Sequence, residues 1–156
     1  MSIRLEGMSE LRKALLTITG EGLRTAQREV LRSTLNVHRR AKELCPVDTG
    51  RLRNSIAFDL RNNGISGIVG TNVDYATEVE FGRAGGTGAD KSPGLQKWMT
   101  RKGITQANHR NNLLGSIARN GTRAQPFLFP ALAEEQPHFF ARMRSEFNRA
   151  FVRAGQ

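Results

Sequence analysis

Two hydrophobic periods alternate along this chain. Leu11, Leu15 and Ile18 recur at helical spacing behind a cap candidate at Ser9, until Gly20 and Gly22 interrupt. From Glu21 to Leu44, Leu23, Ala26, Val30, Val37, Ala41 and Leu44 mark one side of a longer helix, about 35 Å at 1.5 Å per residue. Arg24, Arg28 and Arg32, spaced by four, form a column on another side. Pro46 ends the helix by pushing Cys45 out of helical geometry. The period then drops to two. Ile56, Phe58 and Leu60 alternate with Ala57, Asp59 and Arg61, a strand with one buried face. Asn63-Gly64 predicts a two-residue hairpin turn, and the return strand runs from Ile65 to Thr71, where Gly67 and Gly70 weaken it or permit close approach.

Beyond the hairpin, Asp74 is a cap candidate for a short helix through Tyr75, Ala76, Val79 and Phe81, closed by Gly82. The stretch Gly82 to Gly94 holds five glycines and a proline and reads as a mobile loop. Ser92-Pro93 starts another helix, with Leu95, Trp98 and Met99 on its apolar face and Gly103 as its stop. Asn108 to Asn112 reads as irregular, and Leu113, Leu114, Ile117 and Ala118 as a further short apolar face ending before Gly121. Gln125 to Phe129, bracketed by prolines, fits only an edge strand. Pro130 then opens a last helix lined by Phe140, Met143, Phe147 and Phe151, with Pro137 marking a kink or restart. No internal repeat is present.

The pattern predicts an α+β fold. It has a long N-terminal helix, a small antiparallel sheet built on a β-hairpin, and a C-terminal helix. A Gly-rich basic insertion with short helices covers about 83–121. The 156 residues fit a single domain, 1–156. A hydrophobic content of 38% with 16 glycines gives an ordinary globular apolar total, which excludes wholesale disorder. No apolar run approaches the roughly 18 residues of a membrane span, and the start of the chain does not read as a signal peptide, so cytoplasmic synthesis is expected. The lone Cys45 excludes an internal disulfide framework. Charge sharpens the picture. The net +10 is concentrated in residues 83–125, where eight Lys/Arg face the single acid Asp90. Such a field favours an anionic partner, either nucleic acid or an acidic protein face.

Three ordered motifs resemble those of the tail-completion, or neck, proteins of long-tailed bacteriophages, relatives of the minor tail protein Z class of lambda-like phages. The first is Cys45-Pro46-Val47-Asp48-Thr49-Gly50-Arg51-Leu52-Arg53-Asn54-Ser55-Ile56. The second is Gly70-Thr71-Asn72-Val73-Asp74-Tyr75-Ala76 with Val79-Glu80-Phe81-Gly82. The third is Ala124-Gln125-Pro126-Phe127-Leu128-Phe129-Pro130-Ala131-Leu132. Read physically, all three are architectural. Asp48 and Thr49 satisfy backbone N–H groups where helix gives way to strand, and Gly50 supplies the turn. Leu52 and Ile56 anchor that corner, Tyr75 and Phe81 pack the short helix on the sheet, and Gly82 allows the exit. Pro126, Phe127 and Pro130 set the final helix.

The resemblance implies a structural virion protein of the neck, a homo-oligomeric ring of six copies around the DNA channel. Its expected partners are the head connector or adaptor and the tail terminator or tail tube proteins, with contact to DNA in the channel and none to membrane. It implies no enzyme activity and no cofactor. Arg24, Arg28, Arg32, Lys97, Arg101, Lys102, Arg119 and Arg123 are the expected contacts to partner or DNA.

Catalytic readings fail on the residues themselves. Asp48-Thr49-Gly50 occurs in retroviral-type aspartic proteases, but Arg51 stands where those enzymes carry a small residue, and they lack long helices. His38, His109 and His138 are too dispersed for a metal motif, and the glycines after residue 82 precede no Gly-Lys-Ser/Thr. Cys45 reads as a small buried residue. A sequence-independent nucleic-acid binder is the alternative function, motivated by the basic total and the arginine column. The scarcity of aromatics among the basic residues argues against single-strand stacking.

Overall fold

A computed structural model describes residues 1–4, 20–86 and 93–154. The helix expected over Leu11 to Ile18, and the Thr87 to Ser92 part of the expected loop, lie outside the described residues. The elements in order are β1 (Ser2–Arg4), α1 (Gly20–Leu44), α2 (Arg51–Ser55), β2 (Ala57–Arg61), β3 (Ser66–Gly70), α3 (Ala76–Phe81), α4 (Pro93–Arg101), α5 (Ala107–Asn120) and α6 (Leu128–Ala154). They fall into two compact units, residues 1–76 with 126–156, and residues 77–125.

In the first unit the hairpin β2–β3 is extended by β1 into a three-stranded antiparallel sheet of order β1-β3-β2. The strand β1, unforeseen in the sequence, pairs Ser2 with Gly70 and Arg4 with Ile68, which makes β3 central. A central strand crossed by a helix leaves little room for side chains, and this accounts for its glycine. A Cβ at Gly67 would overlap the Thr34 hydroxyl of α1. Close approach, rather than a weak strand, is what Gly67 provides.

The hairpin departs from the expected two-residue turn. Arg61 pairs with Ser66, so Asn62 to Ile65 form a four-residue loop with Asn62, Asn63 and Gly64 all at positive φ. Asparagine tolerates the left-handed region better than most residues, which allows Asn62 to join the turn. The Gln27 side-chain amide donates to the Asn63 carbonyl at 2.7 Å and ties this loop to α1. The alternation in β2 is only partly realised. Ile56 is buried just before the strand and Leu60 is half-buried, but Phe58 is 41% exposed because β2 is an edge strand.

The helix α1 has three differently used sides. Its sheet side holds Thr34, Gln27 and His38, whose ring Nε2 lies 3.1 Å from the Ile56 carbonyl. A second side packs on α6, where Ala26 and Val30 meet Phe139 and Met143, with Leu60, Ile65 and Phe147 around them. Burying side chains of this size stabilises by roughly 1.5–3 kcal/mol each. The third side is exposed. On α6 the buried aromatic is Phe139 and not the expected Phe140, which is 49% exposed. The apolar stripe therefore runs 139, 143, 147, a cleaner helical spacing than 140, 143, 147. The side chain of Phe151 lies outside the described residues.

No strand forms at 125–129. Residues 123–127 are irregular and α6 begins at Leu128, so Pro126 and Pro130 bracket a helix start. Prolines on both sides remove ladder donors, while Pro130 in the first helical turn has no intrahelical N–H bond to lose. Pro137 lies inside α6 without ending or restarting it.

The second unit is a helical excursion with a paired base. Arg83 and Thr122 exchange backbone bonds at 3.1 and 2.9 Å, Gly86 donates to Ala118 and Gln125 to Val79, each at 2.8 Å. The segment 82–86, read in the sequence as part of a mobile loop, is thus hydrogen-bonded to 118–122. Its glycines serve contact. A Cβ at Gly82 would stand 2.7 Å from the Thr122 carbonyl oxygen, and one at Gly85 2.6 Å from that of Arg119. The helix α4 ends at Arg101, with the expected stop Gly103 just beyond it at φ 72, and Met99 is wholly buried. Asn108 to Asn112, expected to be irregular, form the first turns of α5. Asparagine costs only a few tenths of a kcal/mol more than average in a helix, and the half-buried face at Leu113, Leu114 and Ile117 carries the helix backward through them.

Candidate functional site

The corner after α1 is built as its residues dictate. Cys45 N–H still donates to Ala41 at 3.0 Å, Pro46 forbids continuation, and Cys45 itself is buried. Gly50 stands at φ 79, immediately before the five-residue helix α2, which the sequence did not announce. The Thr49 hydroxyl accepts the Arg51 N–H at a long 3.4 Å. Leu52 and Ile56 are both buried, as anchors must be.

Two polar residues missed in the sequence lock this corner to the far end of β3. The Ser55 hydroxyl donates to the Leu52 carbonyl at 2.7 Å and lies 2.6 Å from the Thr71 hydroxyl. Thr71 in turn accepts the Val73 N–H, and its carbonyl accepts the terminal ammonium of Met1 at 2.8 Å. Ser55 is the next-to-last residue of the first motif and Thr71 the second residue of the second. Their position one on each side of the hairpin was the available signal.

Of the other motif residues, Phe127 is wholly buried, while Pro46 and Pro130 are half-buried and Asp48, Thr49 and Pro126 are exposed. Gly82 adopts φ 76, as an exit turn requires. Tyr75 and Phe81 correct the expectation. They are 40% and 59% exposed, so neither is a buried anchor. A helix of six residues spans fewer than two turns, and its buried positions here are Ala76 and Glu80.

A buried ionic network joins α1 to α6, and sequence reasoning did not find it. The Arg142 guanidinium donates to Glu29 Oε2 at 2.9 Å, to the Ser33 hydroxyl at 2.7 Å and to Glu135. Ser33 also donates to Glu135 at 2.9 Å, and the Asn36 amide does so at 3.2 Å. Burial pushes the Glu135 carboxyl up, but hydrogen bonds from Arg142, Ser33 and Asn36 outweigh it and hold the group below its ordinary range. Burial likewise lowers Arg142, and its two carboxylate partners overcome that and raise it. Further along the same interface, Arg40 grips Glu134 with both Nε and Nη2, at 2.6 and 3.1 Å. That hydrogen bonding lowers Glu134, and the same contact, with Glu43, raises Arg40. The signal was a polar stripe, Glu29, Ser33, Asn36 and Arg40, beside the apolar stripe of α1. In a sequence such a stripe reads as a solvated face.

The eight basic residues expected as contacts are all exposed and fall in two groups. Arg24, Arg28 and Arg32 stand exposed on α1, where Arg28 lies 3.8 Å from Glu146. Lys97, Arg101, Lys102, Arg119 and Arg123 are exposed in the second unit. Among the described residues no group of three or more His, Cys, Asp or Glu could hold a metal ion, and no helix is long and apolar enough to cross a membrane.

No curated relative and no solved structure matches the chain. Residues 9–82, which contain the first two motifs and stop before the third, match the family model HK97-gp10_like, described as "Bacteriophage HK97-gp10, putative tail-component", so over that span the chain is similar to this family.

Proposed function

We propose that the chain acts at the neck of the virion, completing the tail and joining it to the head connector as one subunit of a ring around the DNA channel. The family match over 9–82 supports a structural tail component, and the finer placement rests on the likeness of the three motifs to tail-completion proteins. The observation that carries the reading is the division of labour within the chain. The motif corner and the helix pair are spent on a scaffold, the first locked by Ser55 and Thr71 and the second joined by the buried charges of Glu29, Glu135 and Arg142. The cations expected as contacts are left outside. The unit 77–125 stands on a paired glycine base and presents Lys97, Arg101, Lys102, Arg119 and Arg123 at its surface. An exposed positive field of this kind steers an acidic partner into place. This unit is the insertion that meets the connector or tail proteins, with the copies in the ring numbering six.

Replacing Arg101, Lys102, Arg119 and Arg123 together by Ala tests the reading in phage assembly. Unjoined heads and tails are expected, and unchanged yields of joined particles would reject it.

A further inference from the structure

The third side of α1 carries more than cations. Leu31 and Leu35, one turn apart, are 38% and 41% exposed in the middle of the helix. At 3.6 residues per turn, Arg24, Arg28, Arg32 and Arg39 fall on the same side, within roughly 100° of arc. All four are exposed. Among the described residues Arg24, Arg32 and Arg39 have no ion-pair partner, and Arg28 reaches only Glu146 at 3.8 Å. Of the three acids of α1, Glu29 is buried and Glu43 is held by Arg40, while Glu21 stands in the first turn at the N-terminal end of this face, four cations against one acid. The apolar surface continues toward the sheet edge. His38, three residues beyond Leu35, makes an edge contact at 5.3 Å with Phe58, itself 41% exposed on the outer strand β2.

We infer that this face is a docking surface for an acidic protein segment with an apolar centre, a helix or strand of another virion protein whose carboxylates meet the arginines while its apolar residues cover Leu31, Leu35 and Phe58. Charge complementarity selects the sign of the partner. The leucines select its class. Protein interfaces have an apolar core with arginine enriched around it, whereas a nucleic acid would engage the arginines through phosphates and leave the leucines uncovered. The chain itself is the weaker mate, since most of the exposed acids among its described residues are already paired, Glu43 and Glu134 with Arg40, Asp59 with Arg61 and Glu78 with Arg83.

This inference rests on the proposed place in the virion. A photo-crosslinking amino acid at Leu35, introduced in phage propagated by codon suppression, reads the mate directly in purified particles by mass spectrometry. The expected adduct is a peptide of another virion protein carrying several Asp or Glu around apolar residues. Arg24→Glu with Arg32→Glu should reduce its yield at least about tenfold, since like charges then face each other across the contact, with the circular dichroism of the purified variant unchanged. Adducts to DNA or to another copy of this chain, or no adduct from a particle that contains the protein, would overturn the inference alone. Absence of the protein from particles would remove the proposed function, and this surface with it.

Discussion

Removing Arg142 should destabilise the helix pair far more than removing any other cation in the chain. The side chains of Arg142, Glu29 and Glu135 are 22%, 6% and 11% exposed, and the one guanidinium serves both carboxylates. In Arg142→Ala, two acids remain at a nearly closed interface with only Ser33 and Asn36 as donors to Glu135. Breaking a buried pair by deleting one partner costs about 3–5 kcal/mol, and the residual water access at Arg142 places the expectation near the lower end. Burial of an unpaired carboxylate favours its protonated form, so the loss should shrink as pH falls. Urea unfolding at pH 7 and pH 5, with Arg142→Ala repeated in a Glu29→Gln/Glu135→Gln background, measures both effects. In that background the cost should fall to a fraction, since neutral amides need no cation. A loss below about 1 kcal/mol, or the same loss in both backgrounds, would refute the reasoning and make the network an exposed pair in effect.

Other consequences are more local. Gly67→Ala should cost about 1–3 kcal/mol by driving β3 from Thr34, and adding Thr34→Ala should recover most of it; additive losses in the cycle would count against the close approach. Gly121→Ala, at φ 72 and against the Arg83 carbonyl, should open the base of the second unit and cost at least about 1–2 kcal/mol. Hydrogen exchange would register it as lost protection at the Arg83 and Thr122 amides. Phe127→Ala should cost about 3–5 kcal/mol in denaturant unfolding because the ring is wholly buried. The Glu135 carboxyl is depressed in the folded state, so its stabilisation is present above its unfolded value of about 4.3 and is lost as pH falls through the lower folded value. Glu135→Gln should flatten stability against pH in that window.

Legibility in the sequence followed the strength of each local signal. The helix to Leu44, its stop at Pro46, the anchors Leu52 and Ile56 and the stops at Gly82 and Gly103 were readable because proline, glycine and apolar spacing each act within a few residues. The strand β1 was not readable. Three residues offer no period, and their pairing with β3 is made by chain nearly seventy residues away. The extent of α5 was missed because polar asparagines looked irregular, while the apolar turn after them dictated the helix. Phe139 and Phe140 exchanged roles since adjacent aromatics leave the phase of a stripe open until a partner helix fixes it.

The candidate surfaces divided the same way. The arginine column and the basic third quarter were legible as composition, because charged residues on a surface need no partner to announce them. The network of Glu29, Ser33, Glu135 and Arg142 was not, since its members join only when α6 closes on α1. The exposed Leu31 and Leu35 were equally hidden. Until the buried side of α1 is known, two more leucines in a helix read as core.

The account stands or falls on where the protein resides after infection. Quantitative mass spectrometry of purified particles, with electron microscopy of particles made without a functional copy of this chain, tests it most directly. The account predicts the protein at a few fixed copies per particle, and full heads with free tails when it is missing. Its absence from particles, or normally joined particles made without it, would contradict the account.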